Sequence, residues 1–512
     1  MVTERKKIYK IGVAITLILF LAVAMVLLKL ERNTCLGLQT ISTEQYNSME
    51  GFTKTDINAE FVFNSAPAAI DIATKTIYIS QNSEKLVSAN DLEGVFSIKN
   101  PNLTAKILKD NNYENLSEAV KNNQPLTLVV FSGQTEYDIY NVVISTLPVM
   151  CFWGEFNGYN EGNIELLYGQ LSFWDGYDEE YRGYRTENCF VEWHKRGQAS
   201  SGMKKKPWKL SLKNEKGENK NLSLCGLGAD DDWILNAMAL DDLDLREKTV
   251  MDLCGEIEKQ TGETLTTKAE YIELVVNDEY RGLYIIMRRI DDKYLNLDDD
   301  ILLKGAKAYV NQISLDTYGR VYSPYDELGT DRFLEEYFVN GYEQYMDIDN
   351  YMDILLIMRY CSLYDNSGSK NIFYQLSDLD TDYTVKLLLW DVDMGFGLHF
   401  DNVNVKFVYR FEYAINTLPK RMEMAKLTEL YPDIENRIAT RWAELRESVF
   451  DTENVKSIIS NNYMEITQSG AYQRDVEQWG LYYGGEDTME NIYTFVDRHT
   501  SVIDNYYSQY IS

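Results

Sequence analysis

Hydrophobic and polar positions change their pattern along this chain, and each change predicts a different kind of element. Ile11 to Leu28 is an uninterrupted uncharged run rich in Leu, Val, Ile and Ala. At ~1.5 Å rise per residue it nearly spans a ~30 Å hydrocarbon core, and Ile8, Tyr9 and Leu30 extend it. From about Asn33 to Asp56 the chain is polar and irregular, as a stalk would be. Between Ala59 and Leu147 short β-type runs recur, among them Phe61–Phe63, Thr76–Ile79, Leu126–Phe131 and Tyr137–Tyr140, with turn-type residues between them. That spacing predicts a small β-sandwich of immunoglobulin-like character. Around Thr146-Leu147-Pro148 mixed strand and helix patterns begin. They run to the C terminus without a Pro-, Gly- or Ser-rich linker, and the stretch after Lys426 reads as helical. The expected organisation is a cytoplasmic tail and transmembrane helix (1–32), a stalk (33–58), the sandwich (59–147) and one α+β domain (148–512).

Charge sets the orientation of the first element. Arg5, Lys6, Lys7 and Lys10 precede the apolar run, whereas only Lys29, Glu31 and Arg32 follow it closely. The basic excess predicts that the N-terminal side stays cytoplasmic and the rest is exported. A cleaved signal peptide is the rival reading, because Ala22-Val23-Ala24 has the small-residue pattern of a cleavage site. The apolar run continues past that point, which favours an uncleaved anchor. Over its 512 residues the chain has a formal net charge of -30. General nucleic-acid binding, which needs a positive footprint, is therefore excluded, and any polyanion site must be built locally. The six cysteines include no Cys-x-x-Cys pair, and the three histidines are scattered, so no zinc site is predicted. A pairing such as Cys151 with Cys189 is left open.

Two segments carry candidate chemistry. Lys195 to Lys213 contains seven Lys and Arg and no acid, the clearest exception to the acidic background. Its small-residue turn, Arg196 to Gly202, leads into an alternating strand from Pro207. A turn of this kind can cover phosphates with backbone N–H groups and offer an ammonium; a lysine-guarded edge strand has the same pattern. The second segment begins with a helical run over Tyr351–Tyr364 and continues through the polar loop Asp365–Asn371. Two strands follow, Ile372–Leu376 and Val385–Trp390. Antiparallel pairing of these strands puts Asn371 opposite Trp390, and so gathers Asp365, Asn371, Asp391 and Asp393 at one end. Hard divalent cations such as Mg²⁺ take one or two carboxylates with phosphate oxygens and water. Asp391 and Asp393 end the apolar run Leu387–Trp390, where burial without a partner is costly. Asp365 is placed to accept a proton from an attacking hydroxyl.

In order along the chain, these stretches resemble the CotH (spore-coat protein H) family of atypical, protein-kinase-like enzymes, found largely in bacteria. The likeness rests on Arg196-Gly197 through Lys205-Lys206-Pro207-Trp208, on Leu224 through Asp230-Asp231-Asp232-Trp233 to Glu256 with Glu279 to Tyr284, and on Asp365–Asn371 with Trp390–Asp393 and Gly397. It covers roughly residues 148–400. The resemblance implies a two-lobed, protein-kinase-like domain that binds ATP with Mg²⁺ (or Mn²⁺) and phosphorylates protein Ser/Thr hydroxyls. It implies Lys206, or its neighbour Lys205, on the ATP phosphates, with Glu256 orienting that lysine and backbone near Met287 facing adenine. Asp365 stands where the catalytic aspartate does, and Asn371 and Asp391 where the metal ligands do, with Asp393 supporting the ion. Glu247 departs from the family pattern, which has Asn after the arginine. Two other functions fit some of the same residues: a nucleotide-sugar glycosyltransferase using the Asp-x-Asp, and an inactive surface adhesin or scaffold with a kinase-like fold. The charge bias itself makes a prediction. A compartment-sensitive reporter fused to the C terminus should be active outside the cytoplasm; activity confined to the cytoplasm overturns the orientation.

Overall fold

The computed structural model describes residues 39–511 except 64–65, 81–95, 110–115, 155, 162–163, 168–169, 176–182, 198–199, 307–317, 340, 364, 367–369, 380–382, 402–403 and 408–423. The predicted anchor lies outside the described residues, and among those described no helix is long and apolar enough to cross a membrane. The chain divides into two compact units. One comprises 1–153, 171–187 and 275–280; the other comprises 154–170, 188–274 and 281–512.

In the first unit a seven-stranded sheet and a three-stranded sheet share one core, in which Phe61, Phe63 and Phe96 meet Ile77, Leu128 and Val130. Leu126, Leu128 and Val130 point into this core at period-2 spacing, while Val129, on the opposite face, is buried as well. The pairing departs from an all-antiparallel immunoglobulin-like sandwich. Gln39–Ser42 runs parallel to Leu103–Lys109, and Thr76–Ser80 runs parallel to Glu136–Ser145. Alternation reports which face is buried, not which neighbour a strand takes, so sequence reading could not find these parallel pairs. Cys151 in this unit, and Cys254 and Cys361 in the other, are buried free thiols.

Five strands lying wholly or mostly in the second unit, β1 (Gly183–Lys195), β2 (Trp208–Lys213), β3 (Asp232–Asn236), β4 (Ala269–Val276) and β5 (Glu279–Arg288), neighbour one another in the order 1-2-3-5-4 within a nine-stranded sheet. One helix, α1 (Arg246–Thr261), is inserted between β3 and β4. Its stripe of Val250, Leu253, Cys254 and Ile257 repeats at helical spacing and is buried. Gly262, at φ 78°, ends it. The start of α1 is set from outside the helix. Asp241 accepts hydrogen bonds from the backbone N–H of Leu245 at 2.8 Å and Arg246 at 2.7 Å. The same carboxylate bonds the Arg246 guanidinium, whose other edge pairs with Asp487 at 2.7 and 2.8 Å.

A second sheet follows, from β6 (Ile301–Ala306), β7 (Tyr318–Tyr322), β8 (Lys370–Ser377) and β9 (Thr384–Leu389), in order 7-6-8-9. Between β7 and β8 lies α2 (Ile348–Cys361), capped by the Asp347 side chain and buried at nearly every position. Asn350 fixes α2 to β9 with two reciprocal bonds, donating to the Leu387 carbonyl at 3.1 Å and accepting the Leu387 N–H at 2.8 Å. The C-terminal helices α3 (Ile434–Arg446), α4 (Thr452–Gln468), α5 (Ala471–Trp479) and α6 (Met489–Tyr507) complete the unit.

Arg246 offers a direct test of this scaffold. Its side chain is fully buried between two carboxylates, and removing one partner from a buried ionic group typically costs about 3–5 kcal/mol. Arg246→Ala should lower the unfolding free energy by that order, read from denaturant midpoints. A loss within about 0.5 kcal/mol, the usual scatter of surface substitutions, would show that the pair does not hold α1 in place.

Candidate active site

The site is built at the open end of the β8–β9 hairpin. Pairing runs from Ile372 opposite Leu389 to Ser377 opposite Thr384, and the Trp390 N–H donates to the Asn371 carbonyl at 3.1 Å. This is the register that the two apolar runs predict. Asn366, buried in the preceding loop, donates through one amide nitrogen to the carbonyls of Asn371 (3.0 Å) and Trp390 (2.9 Å). Beyond that clasp both chains turn: Asn371 has φ 59° and Asp391 φ 56°. Asn and Asp are the side chains that tolerate the left-handed region best, so each strand can end abruptly and present a polar group.

Asp365, Asn371, Asp391 and Asp393 share this neighbourhood. Lys370 grips the Asp365 carboxylate at 2.5 and 2.6 Å, and the Asn371 amide nitrogen donates to it at 3.2 Å. With its nitrogen committed to Asp365, Asn371 keeps its amide oxygen for another partner. Burial, then the charges of Asp391, Asp365 and Asp241, push the Asp393 carboxyl well above the usual range. Glu247, on the first turn of α1, belongs to the same field. Burial and then Asp393 and Asp391 raise it strongly, against a partial offset from Arg196 and from the Asn236 amide bonded to it. The chain past Asp393 packs tightly on the end of α2. Phe396 N–H donates to the Cys361 carbonyl at 2.7 Å, and a Cβ on Gly395 would lie 3.0 Å from Leu363 and 3.2 Å from that carbonyl.

This donor set suits a hard cation. It offers the Asn371 amide oxygen and the carboxylates of Asp391 and Asp393. Among the described residues no three His, Cys, Asp or Glu side chains form an ion cage. A cation held here would thus take one or two side chains and complete its shell from phosphate and water, as Mg²⁺ commonly does.

The lysines divide differently from expectation. Lys205 is 4% exposed and pairs with Asp475 of α5 at 2.8 Å. Asp475 also accepts the Leu283 N–H at 2.7 Å. The backbone at Gly282 passes so close that a Cβ there would fall 2.2 Å from the Asp475 carboxylate. Lys206 instead donates to the Met203 carbonyl of its own turn at 2.7 Å. Glu256 does not orient either lysine; it accepts from Asn454 of α4 at 2.7 Å. Nine residues at 100° each put Glu256 on the face of α1 opposite Glu247, so only Glu247 can look toward Asp393. Met287 lies within the β3–β5 ladder opposite Ile234, with its side chain buried. Lys205, Asp241, Asp244, Asp475, Met238 and Trp479 help to line a cavity of ≈ 290 Å³. Met238 and Asp241 also line a smaller cavity with Glu247 and Asp393, so one wall joins the lysine to the acidic centre.

Sequence reading missed Asp475, Lys370 and Asn366 as parts of this arrangement. The consecutive acids Asp230, Asp231 and Asp232 are structural: Asp230 pairs with Arg288 at 2.8 Å, Asp231 with Lys293, and Asp232 with Lys209 at 2.7 Å.

A family model described as CotH kinase protein matches residues 194–509. The chain belongs to the CotH kinase family. No curated protein matches it. The CotH match starts at the end of β1 and extends past α5 and α6, so it takes in Asp475 and Asp487 as well as the hairpin.

Glu247 is the residue of this acidic cluster whose ionisation is easiest to test. Folding raises its pKa above the ordinary 4.5. The folded chain therefore holds this proton more tightly, and the stabilisation it provides is complete below that value and lost as pH rises above it. Glu247→Gln keeps the shape without the charge. Measured by thermal unfolding from about pH 4 to about pH 8, the variant should show a smaller loss of stability with rising pH than the wild type. Parallel profiles would contradict the assignment.

Proposed function

We propose that the chain is an ATP-dependent phosphotransferase acting on Ser/Thr hydroxyls of proteins. The observation that carries this reading is the convergence of Asp365, Asn371, Asp391 and Asp393 at the end of one hairpin, within a chain of the CotH kinase family. The strand run 1-2-3-5-4 within the larger sheet, with one helix inserted in the chain between β3 and β4, supports it.

In this reading Asn371 and Asp391 hold Mg²⁺ or Mn²⁺, with Asp393 supporting the ion. When bound, the cation neutralises charge on the phosphate oxygens. Asp365 accepts the proton of the attacking hydroxyl. Lys370 and the Asn371 amide both bond that carboxylate and fix its direction toward the substrate side. Lys205 acts at the phosphate side with its ammonium oriented by Asp475, a lysine–carboxylate arrangement of the kind that protein kinases require. The N-terminal basic residues and apolar run support a single-pass membrane protein with this domain exported.

The test uses the purified full-length chain with labelled ATP, Mg²⁺ or Mn²⁺ and a Ser/Thr-rich protein. Asp391→Ala should reduce labelling at least about a hundredfold, which corresponds to about 2.7 kcal/mol of barrier. Asp365→Asn should bind ATP normally and lose transfer. Labelling of the Asp391 variant at the wild-type rate would remove the metal assignment. Transfer from a nucleotide-sugar in place of ATP would favour the glycosyltransferase.

A further inference from the structure

Cations in this acidic unit are mostly neutralised in pairs: Lys205 with Asp475, Arg246 with Asp487, Lys209 with Asp232, Lys370 with Asp365. Two beside Asp391 are not. Arg196, at the head of the turn after β1, has its guanidinium carbon 5.2 Å from the centre of the Trp390 ring. Lys304, on β6, has its ammonium 5.2 Å from the same ring and 5.4 Å from that of Phe373. Among the described residues, neither charged group has an ion pair or a hydrogen bond.

The sheet explains how they meet. Lys304 pairs with Phe373 across β6 and β8, and Phe373 pairs with Leu388 across β8 and β9. Directly paired residues project from the same face, and the alternation brings Trp390 to the face of Leu388. Phe373 and Trp390 accordingly touch edge to face at 5.9 Å. Aromatic rings hold a cation in place without cancelling its charge. Burial and the nearby Arg196 bring Lys304 down to about 8, only partly offset by Asp391, so at neutral pH it is still an ammonium. A buried-stem lysine and an arginine, both uncompensated in a chain of net charge -30, make a local positive field that only an anion satisfies. A simple monoanion would be disfavoured by the acidic residues around Asp391. A polyphosphate that brings its own divalent cation meets both signs of charge.

We propose that Arg196 and Lys304 form a clamp for a polyphosphate anion, gripping the phosphoryl group that lies nearest Asp391. That this anion belongs to a nucleotide rests on the phosphotransferase reading; the clamp needs only the phosphate chain. The division of labour is then spatial. Lys205, already paired and walled by Asp241 and Asp244, serves the far side of the site, while Arg196 and Lys304 hold the phosphoryl group at the metal ligands.

The experiment is calorimetric titration of the purified full-length chain with Mg²⁺-tripolyphosphate and with Mg²⁺-ATP. The wild type should bind both, competitively, with affinity falling as salt rises. Arg196→Gln and Lys304→Met should each weaken both ligands at least about tenfold, the loss of one charge-assisted contact, while Lys304→Arg should recover most of the affinity. Melting temperatures read in parallel identify any variant that has lost its fold; the half-buried Arg196 supplies the readout should Lys304→Met unfold. Unchanged affinities in folded variants overturn the clamp while leaving phosphotransfer intact as a reading. Clamp-dependent tripolyphosphate binding without phosphotransfer keeps the clamp and overturns that reading. A wild type that binds neither ligand overturns both.

Discussion

The Asn366 side-chain amide, bonded at once to the carbonyls of Asn371 and Trp390, is the contact on which the geometry of the site depends. The Asn371 carbonyl takes the last ladder bond, from the Trp390 N–H, and the Trp390 carbonyl lies beyond it. A buried carbonyl left unpaired costs about 1–3 kcal/mol. Bonding both carbonyls from a third segment closes the hairpin mouth at a defined place. It also lets the next backbone positions leave the sheet by the left-handed turns of Asn371 and Asp391. The loop that supplies Asn366 also supplies Asp365, so the clasp that ends the hairpin positions the proton-accepting candidate beside the metal-ligand candidates. The whole is tied to α2 by the two Asn350–Leu387 bonds and by the Phe396–Cys361 bond.

What this closure assembles is electrostatically costly. Asp365 has Lys370, but Asp393 and Glu247 have one another and Asp391. Carboxylates that share a dry site cannot all be ionised, and the pKa of at least one must rise. Such a group ionises again when a cation joins it. The acidic centre is therefore matched to a divalent ion, and the Arg196–Lys304 pair beside it is matched to an anion. The two fields lie on either side of the Trp390–Asp391 peptide, one carried by the aromatic ring and one by the carboxylate. A metal-bound phosphate chain is the kind of ligand that satisfies both at once.

How much of this can be read from residues alone follows from the range of each signal. The hairpin register was legible because both strands are short apolar runs around a polar turn, and one register puts both apolar faces on the core. Asp391 and Asp393 stood out because they end Leu387–Trp390 without a local partner. The division of labour among the three consecutive lysines could not be read, since Lys205 takes its role from Asp475, which lies 270 residues away. The family resemblance implies Glu256 as the partner of that lysine, but helical phase sets Glu256 and Glu247 on opposite faces of α1, and Glu256 faces Asn454 instead. In the first unit, alternation revealed the strands and the shared core but carried no information on the parallel pairings.

The C-terminal helices belong to the site as much as the hairpin does. Asp475 holds Lys205, and its neighbour Arg474 forks onto Glu273 of β4 at 2.6 and 2.9 Å. Asp487 neutralises Arg246 at the start of α1. Asp242 accepts the N–H groups of Tyr482 and Tyr483 at 2.5 and 2.8 Å, which draws the segment after α5 against the loop before α1. Each of these is a buried or half-buried charged contact, the kind whose loss leaves an uncompensated group behind. The motifs that carry chemistry end near residue 400, yet the orientation of Lys205 and of Glu247 is fixed by residues between 474 and 487. A family match that continues to residue 509 is therefore what the geometry requires, because the sheet and α1 would lose their opposing charges without it.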